Sequence, residues 1–341
     1  MKILCVGPIW RGSNAGGLFK ALARQGCLID IVDEYYYLSF HATSLVTKIA
    51  QRAIRSLQLR EFNAAIVKSV NTFKPDILFV YKGAFVMPET LDYARSKGCR
   101  LVMFYPDVSM ATHGKYLALS IPRYELVFTT KTFGIADLKN AFGITNARFI
   151  PHGFDPEVHR KTVISQTDEA VFGCDASFIG TYSAKKEEYL AYLKEKYPEI
   201  SLRIWGSQWE RSAMESLNES IQHSAVYGDM YAVAIQCSKI NLGILNEQVT
   251  GASSGDLITS RTFHIPGSGG FMLHERNAES ELYFKEGQET GFFDGVEELV
   301  EKVKLYLSNP QLRQQICEAG YQRAQKDHSL DSRAKEILTH L

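Results

Sequence analysis

The chain has 341 residues, about twice the usual domain size, so two domains are expected, each large enough to bury its own core. With 45% hydrophobic and 22% charged residues and 25 glycines, the composition excludes a disordered, collagen-like or disulfide-scaffold chain. The net charge of zero hides a division: residues 1–155 carry 19 Lys and Arg against 11 Asp and Glu (+8), and the remaining 186 carry 19 against 27 (−8). A neutral total argues against nucleic acid as a partner, whereas a basic first half can attract phosphates, acidic glycans or an anionic membrane surface.

No apolar run approaches the ~18 residues of a membrane span, and Met1 leads directly into a strand-like segment, so a cytoplasmic protein without signal peptide or anchor is expected. Residues 2–6 read as a strand ending in Gly7-Pro8. Leu18, Phe19, Leu22 and Ala23 follow at helical spacing until Gly26, and 27–32 is the next apolar run, which makes a βαβ unit. A long helical region covers about 41–73. Apolar runs at 76–81, 100–105 and 125–129 then alternate with helical patterns near 89–96 and 133–141, which predicts a parallel sheet covered on both faces.

Residues 149–156 break this pattern and 160–169 show no clear periodicity, so the domain boundary is placed there. After it, strands are expected at 177–180, 202–205, 239–245 and 270–273, with helices at 185–196, 230–237, 260–265, 296–307, 312–324 and 333–341. The expected division is a first Rossmann-like domain at 1–155, a second at 156–325, and a closing helix at 326–341 that returns toward the first. Such an α/β architecture implies a cleft between the domains, with ligands outside the carboxyl ends of the strands.

The loop from Gly7 to Gly17 joins the first strand to the first helix, where glycines permit close backbone approach and helix N–H groups can receive a phosphate. Gly12, Gly16 and Gly17 are therefore candidate donor-binding residues, although their spacing is neither a dinucleotide fingerprint nor a P-loop. Asp107 closes the fourth apolar run and His113 follows six residues on, a pair suited to binding hydroxyls or moving a proton. Tyr35 and Tyr36 could stack on a sugar acceptor. Arg52 shares a helix face with Lys48 and Arg55 that could meet an anionic lipid or a lipid-phosphate acceptor. In the stretch 251–273 a Gly/Ser-rich loop feeds a short helix, and Asp256, Ser260, Arg261 and Thr262 bracket a site for sugar hydroxyls and phosphate.

Here the sequence resembles the GT-B glycosyltransferases, specifically the family-four-like enzymes and their spore-maturation-type relatives. Arg261-Thr-Phe-His264, Gly269-Gly270-Phe-Met-Leu273, Glu275 and Glu281 follow their R-x-F-E-x-x-x-x-G-G/A-F-x-L segment and acidic turn. Pro151-His-Gly-Phe-Asp155, Phe178-Ile-Gly180, Ser238-Lys-Ile-Asn-Leu-Gly243 and Asn309-Pro extend the likeness over roughly 147–340. The family's E-x7-E pair falls on Asp256, implied to contact the donor sugar, and on His264, where a carboxylate would bind the nucleotide ribose. Its diphosphate-binding Arg falls on Thr181 and its Lys on Lys185 or Lys186, with Arg261 able to supply the missing guanidinium.

The resemblance implies hexosyl transfer from a nucleotide-diphosphate sugar, a UDP-sugar foremost, to a glycan, lipid-linked or protein acceptor. It implies no cofactor, no metal and a retaining outcome in which the leaving phosphate helps deprotonate the acceptor. Asp107, His113 and Asp256 are then the candidate catalytic residues. Because His264 and Thr181 depart from the family pattern, two further readings stay open: a non-catalytic sugar-nucleotide or partner-binding module, and a nucleotide-sugar epimerase of the same fold. Peripheral contact of the basic half with the inner face of a membrane is a further expectation.

Overall fold

The computed structural model describes residues 1–38 and 45–341, and side chains outside 39–53; the Arg52 side chain, with that of Lys48, lies outside the described residues. The chain divides into two compact units. The first comprises 1–151, 248–254 and 333–341, and the second 152–247 and 255–332. A short segment of the second half and the last nine residues thus belong to the first unit. Long-range hydrogen bonds hold them: Ser109 Oγ donates to the Thr250 carbonyl (2.7 Å), Asp137 accepts from the Ser253 N–H (3.0 Å), and Arg100 donates to the Leu341 carbonyl (2.7 Å).

The first unit runs β1 (Lys2–Gly7), α1 (Asn14–Arg24), β2 (Leu28–Asp33), α2 (Glu34–Tyr37), α3 (Leu45–Phe73), β3 (Ile77–Tyr81), α4 (Pro88–Ser96), β4 (Arg100–Tyr105), α5 (Gly114–Ser120), β5 (Leu126–Thr129), α6 (Gly134–Phe142) and β6 (Ala147–Phe149). Its sheet is parallel, in the order β2-β1-β3-β4-β5-β6. With β1 between β2 and β3, Ile3 pairs with Ile29 on one side and Ile77 on the other. β3 is buried along its whole length, and β1 and β4 from their second residue onward, because helices cover both faces. From α3, Leu59, Phe62, Ile66 and Val70 enter this core at helical spacing, while Ile54 and Leu57 are exposed.

The second unit runs α7 (Gln166–Phe172), β7 (Cys174–Ile179), α8 (Ala184–Lys196), β8 (Leu202–Trp205), α9 (Asp229–Cys237), β9 (Ser238–Gly243), α10 (Ser260–Gly267), β10 (Met272–Glu275), β11 (Gly291–Phe293), α11 (Gly295–Ser308) and α12 (Pro310–Asp327). A last helix, α13 (Leu330–Leu338), carries the chain back into the first unit. The sheet is again parallel, in the order β11-β10-β9-β7-β8. Helix α7 lies in the stretch without readable periodicity; a reciprocal cap starts it, with Ser165 Oγ accepting the Asp168 N–H and Asp168 accepting the Ser165 N–H.

Each sheet has one place where the strand order reverses, between β1 and β3 in the first unit and between β7 and β9 in the second. The crevice outside the carboxyl ends at such a point is where open parallel sheets receive ligands. Glycines make the approach possible in the second unit. A Cβ on Gly270 would stand 2.3 Å from Ile235, and one on Gly267 would stand 2.6 Å from the Phe154 ring, so α10 packs down onto the residues beneath it.

Candidate functional site

At the β7/β9 reversal the structure gathers charged side chains from four segments. Arg261, in the first turn of α10, donates to the Ile244 carbonyl (2.8 Å) and lies over the Phe178 ring, 5.0 Å from its centroid. Gly180 makes its room, since a Cβ there would stand 2.6 Å from Arg261 Nη1. Lys186, only 1% exposed in the first turn of α8, donates to the Thr181 carbonyl (2.9 Å) and to Asn246 Oδ1. Asn246 passes the chain on, its Nδ2 donating to Asp256 Oδ2 (2.7 Å) while its carbonyl accepts the Asp256 N–H (3.0 Å).

The site sets two cationic side chains, Arg261 and Lys186, beside the carboxylates of Asp256 and Glu247, and it is incompletely satisfied. Burial, reinforced by the neighbouring Arg261 charge, pushes Lys186 down to about 7; Asp256 and Glu247 pull the other way. Among the described residues Arg261 Nε, Ser183 Oγ and the Tyr231 hydroxyl are buried without a hydrogen-bond partner. Buried polar atoms left open in this way cost free energy unless a ligand or solvent supplies the partner. With α8 and α10 both beginning here, their N-terminal dipoles add to the attraction for an anion.

The structure separates the two lysines that sequence left as alternatives. Lys186 belongs to the buried chain just described, whereas Lys185 pairs with Glu275 (2.5 Å), whose other oxygen accepts the Leu245 N–H (3.0 Å). Thr181 is exposed, its hydroxyl 3.1 Å from Ser207 Oγ, and its carbonyl serves Lys186. Ser260 opens α10. The Thr262 hydroxyl is occupied within the fold, accepting the Thr259 N–H (3.1 Å) and meeting His274 Nε2 (2.9 Å). Glu281 pairs with Arg276, which also holds Glu286, in a surface ion network.

His264 is 7% exposed and stacks on His159, ring centroids 3.8 Å apart, with the Tyr231 ring edge-on to both. Burial holds His159 neutral, down to about 3, and pushes His264 well below its ordinary value, with His159 and His152 acting the same way. Burial also takes His274 to about 4. Unfolded histidine titrates near ~6.5, so below that pH the unfolded chain binds protons that the fold refuses. Stability is therefore fully present above about 6.5 and lost as pH falls toward 3–4, by about 2 kcal/mol at about pH 5 for each of His159 and His274. Urea unfolding at neutral pH and near pH 5 checks this, and His159→Gln should flatten the difference.

In the first unit, Asp107 Oδ2 receives Lys82 Nζ (2.7 Å) and His113 Nε2 (2.9 Å). Burial alone would raise Asp107, but hydrogen bonds from His113 and Lys82 and the lysine charge hold it well below the carboxylate range. Lys82 follows β3 with a left-handed backbone (φ 66°), and it was not singled out from sequence; the strand-ending Tyr-Lys-Gly was the available signal. The glycine loop needs correcting. Ser13 caps α1, taking the Gly16 N–H on its hydroxyl and the Gly17 N–H on its carbonyl (both 3.0 Å), so these N–H groups are already bonded rather than open to a phosphate. Gly12 supplies a left-handed turn (φ 92°), and a Cβ on Gly16 would stand 2.8 Å from Ser13 Oγ. Tyr35 and Tyr36 are exposed just after β2, and Tyr36 borders a 430 Å³ pocket with Ile9, Asp33, Tyr37 and Lys68.

Residues 185–339, which include Lys186, Asp256 and Arg261, match the family model described as glycosyl transferase-like. No curated protein matches the chain in sequence. Solved structures of the same fold include Anabaena HepE in complex with UDP and glucose (12% identity, 100% of both chains, TM-score 0.65). Sucrose-phosphate synthase from Thermosynechococcus elongatus aligns at 12% identity over 99% of this chain and 98% of that one, TM-score 0.66. A putative UDP-N-acetylglucosamine 2-epimerase from Listeria monocytogenes aligns at 10% identity, 99% and 94% coverage, TM-score 0.55. The architecture is thus GT-B, two Rossmann-like units, with a glycosyl transferase-like second half.

Proposed function

We propose that this GT-B chain is a glycosyltransferase that moves a hexose from a nucleotide-diphosphate sugar to a hydroxyl of a glycan, lipid-linked or protein acceptor, without a metal and with retention. The observation that carries the reading is the buried Lys186 beside the half-buried Arg261, whose Nε is buried and without a hydrogen-bond partner among the described residues, at the strand-order reversal of the transferase-like unit. Breaking the bond to the anomeric carbon leaves negative charge on the diphosphate, and fixed cations in a dry site stabilise that charge more in the transition state than before it. Asp256, oriented by Asn246, is suited to a donor-sugar hydroxyl, and the backbone of Gly180 and Ser260 to the phosphates. HepE, of the same fold, is known with UDP-glucose, so a UDP-sugar is the first donor to test.

On the acceptor side, the +8 charge of residues 1–155 and the exposed Tyr36, Ile54 and Leu57 support contact with an anionic or lipid-borne acceptor. No helix among the described residues is long and apolar enough to cross a membrane. The test is thermal stability against UDP, GDP, dTDP, ADP and CMP. UDP should stabilise the protein by about 2.7 kcal/mol at a hundredfold excess over Kd. No shift with any nucleotide would remove the reading, and product analysis with labelled UDP-glucose then separates transfer from isomerisation.

A further inference from the structure

We infer that the Tyr231 hydroxyl is a donor-site group that hydrogen-bonds an oxygen of the nucleotide diphosphate beside Arg261, an inference that rests on the donor-binding reading above. Tyr231, Arg261, His159 and His264 all lie in the second unit. Tyr231 stands in the first turn of α9, its N–H bonded to the Gly228 carbonyl (3.1 Å). Helix α9 ends directly at the start of β9, and β8 and β9 both run parallel to β7. The helix therefore begins at the carboxyl end of the sheet, the end that holds Arg261 and Lys186.

Tyr231 is 8% exposed, and its hydroxyl oxygen is buried without a hydrogen-bond partner among the described residues, as is Arg261 Nε. The ring that carries the hydroxyl is clamped. It stands edge-on to His159 (centroids 5.5 Å apart, 87°) and to His264 (5.8 Å, 85°), which stack on each other at 3.8 Å. His264 follows Arg261 by three residues on α10, so the clamp and the guanidinium share one face of that helix. The electrostatics agree with this placement, because the Arg261 charge acts both on the Tyr231 hydroxyl and on Lys186.

A phenol and a guanidinium N–H are both donors, and here neither meets an acceptor. Burial pushes Tyr231 above its ordinary value and Arg261 pulls it back only in part, so the hydroxyl keeps its proton through the neutral range and serves as a donor, not a base. A ligand group that satisfies both must accept two hydrogens and gain from the cation. An anionic phosphate oxygen does this, whereas a ribose hydroxyl brings a hydrogen of its own to place. The ring is fixed before the ligand arrives, so binding loses little side-chain freedom. Phe at this position keeps both ring contacts and removes a buried polar atom that the fold leaves unsatisfied, so it should not weaken the unliganded protein.

The test uses the full chain and Tyr231→Phe, with isothermal titration of UDP and of 2′,3′-dideoxy-UDP, which keeps the diphosphate and lacks both ribose hydroxyls. Without ligand the variant should melt at or above the wild-type temperature. It should bind both nucleotides roughly 10- to 150-fold more weakly, by the same factor for each, as expected for a lost hydrogen bond to a charged group. Wild-type affinity for UDP in the variant overturns the assignment. A loss confined to UDP, with dideoxy-UDP bound equally by both proteins, overturns it too and moves the hydroxyl to the ribose. A variant that melts well below the wild type makes Tyr231 a fold contact and overturns it as well. Absence of UDP binding to the wild type itself is the failure of the donor-binding reading, which the variant does not enter.

Discussion

Replacing Arg261 with Met should weaken UDP binding by about 1.5–3 kcal/mol, the usual value of a hydrogen bond to a charged group, which is roughly a 10- to 150-fold rise in Kd. The loss is this large because the guanidinium is fixed before any ligand arrives. The Ile244 carbonyl holds one end and the Phe178 ring supports its face, while Nε is left without a partner among the described residues. An interaction in a dry, preorganised site is screened far less than a surface ion pair, which would contribute about 0–1 kcal/mol. Met keeps the contact with Phe178 and removes a buried charge, so the unliganded variant should melt close to the wild type. Gly180→Ala serves as an independent check, since its Cβ would displace Nη1 from 2.6 Å without removing any charge. Isothermal titration with UDP on both variants decides the matter, and wild-type affinity in both would take Arg261 out of the site.

The second large effect is a pH dependence. Lys186 is held at about 7 by burial and by Arg261, so near neutrality much of it is uncharged in the free protein. An incoming diphosphate favours the ammonium, whose third hydrogen is not used by Thr181 or Asn246, and binding must therefore take up a proton. UDP affinity should fall as pH rises from about 7 toward 9, by up to about tenfold per pH unit, and calorimetry in buffers of different ionisation enthalpy should report proton uptake. Folding stability runs the opposite way. Unfolded lysine stays protonated to about 10.4, so between about 7 and 10 the unfolded state binds more protons and the unliganded protein gains stability as pH rises. Lys186→Met should abolish both slopes, stabilise the unliganded protein at pH 7 and weaken UDP. If the variant kept the wild-type pH dependence of UDP affinity, another group would have to carry the proton.

Much of the fold was legible along the chain because buried parallel strands read as short apolar runs, and helices between them carry apolar residues at helical spacing. Strands of three residues, β6 and β11, left too little pattern to read, and α7 is a capped helix of only about two turns. The site was partly legible too. Arg261, Asp256 and Gly180 stand in a recognisable order, and polar residues just beyond apolar strands mark the ligand edge of such sheets. Asn246 and Tyr231 carry no comparable signal. His264 was expected to meet the ribose, but it lies stacked on His159 and in contact with Tyr231, partners that only folding brings near.

What the sequence by itself determined is the alternation of elements, the class of sheet, and the kinds of charge available at each strand end. These are local properties, set by the spacing of apolar residues and by glycines that nothing larger can replace. Which lysine is buried, which carboxylate is held ionised, and which segment of the second half joins the first unit were decided by the tertiary structure alone. Lys186 and Lys185 are neighbours with the same side chain; one meets Asn246 and is cut off from water, the other meets Glu275. Asp107 is likewise held ionised by what reaches it, Lys82 from the end of β3 and His113. Charge in a protein is governed by desolvation and by neighbours within a few ångströms, and those neighbours come from segments far apart in the chain.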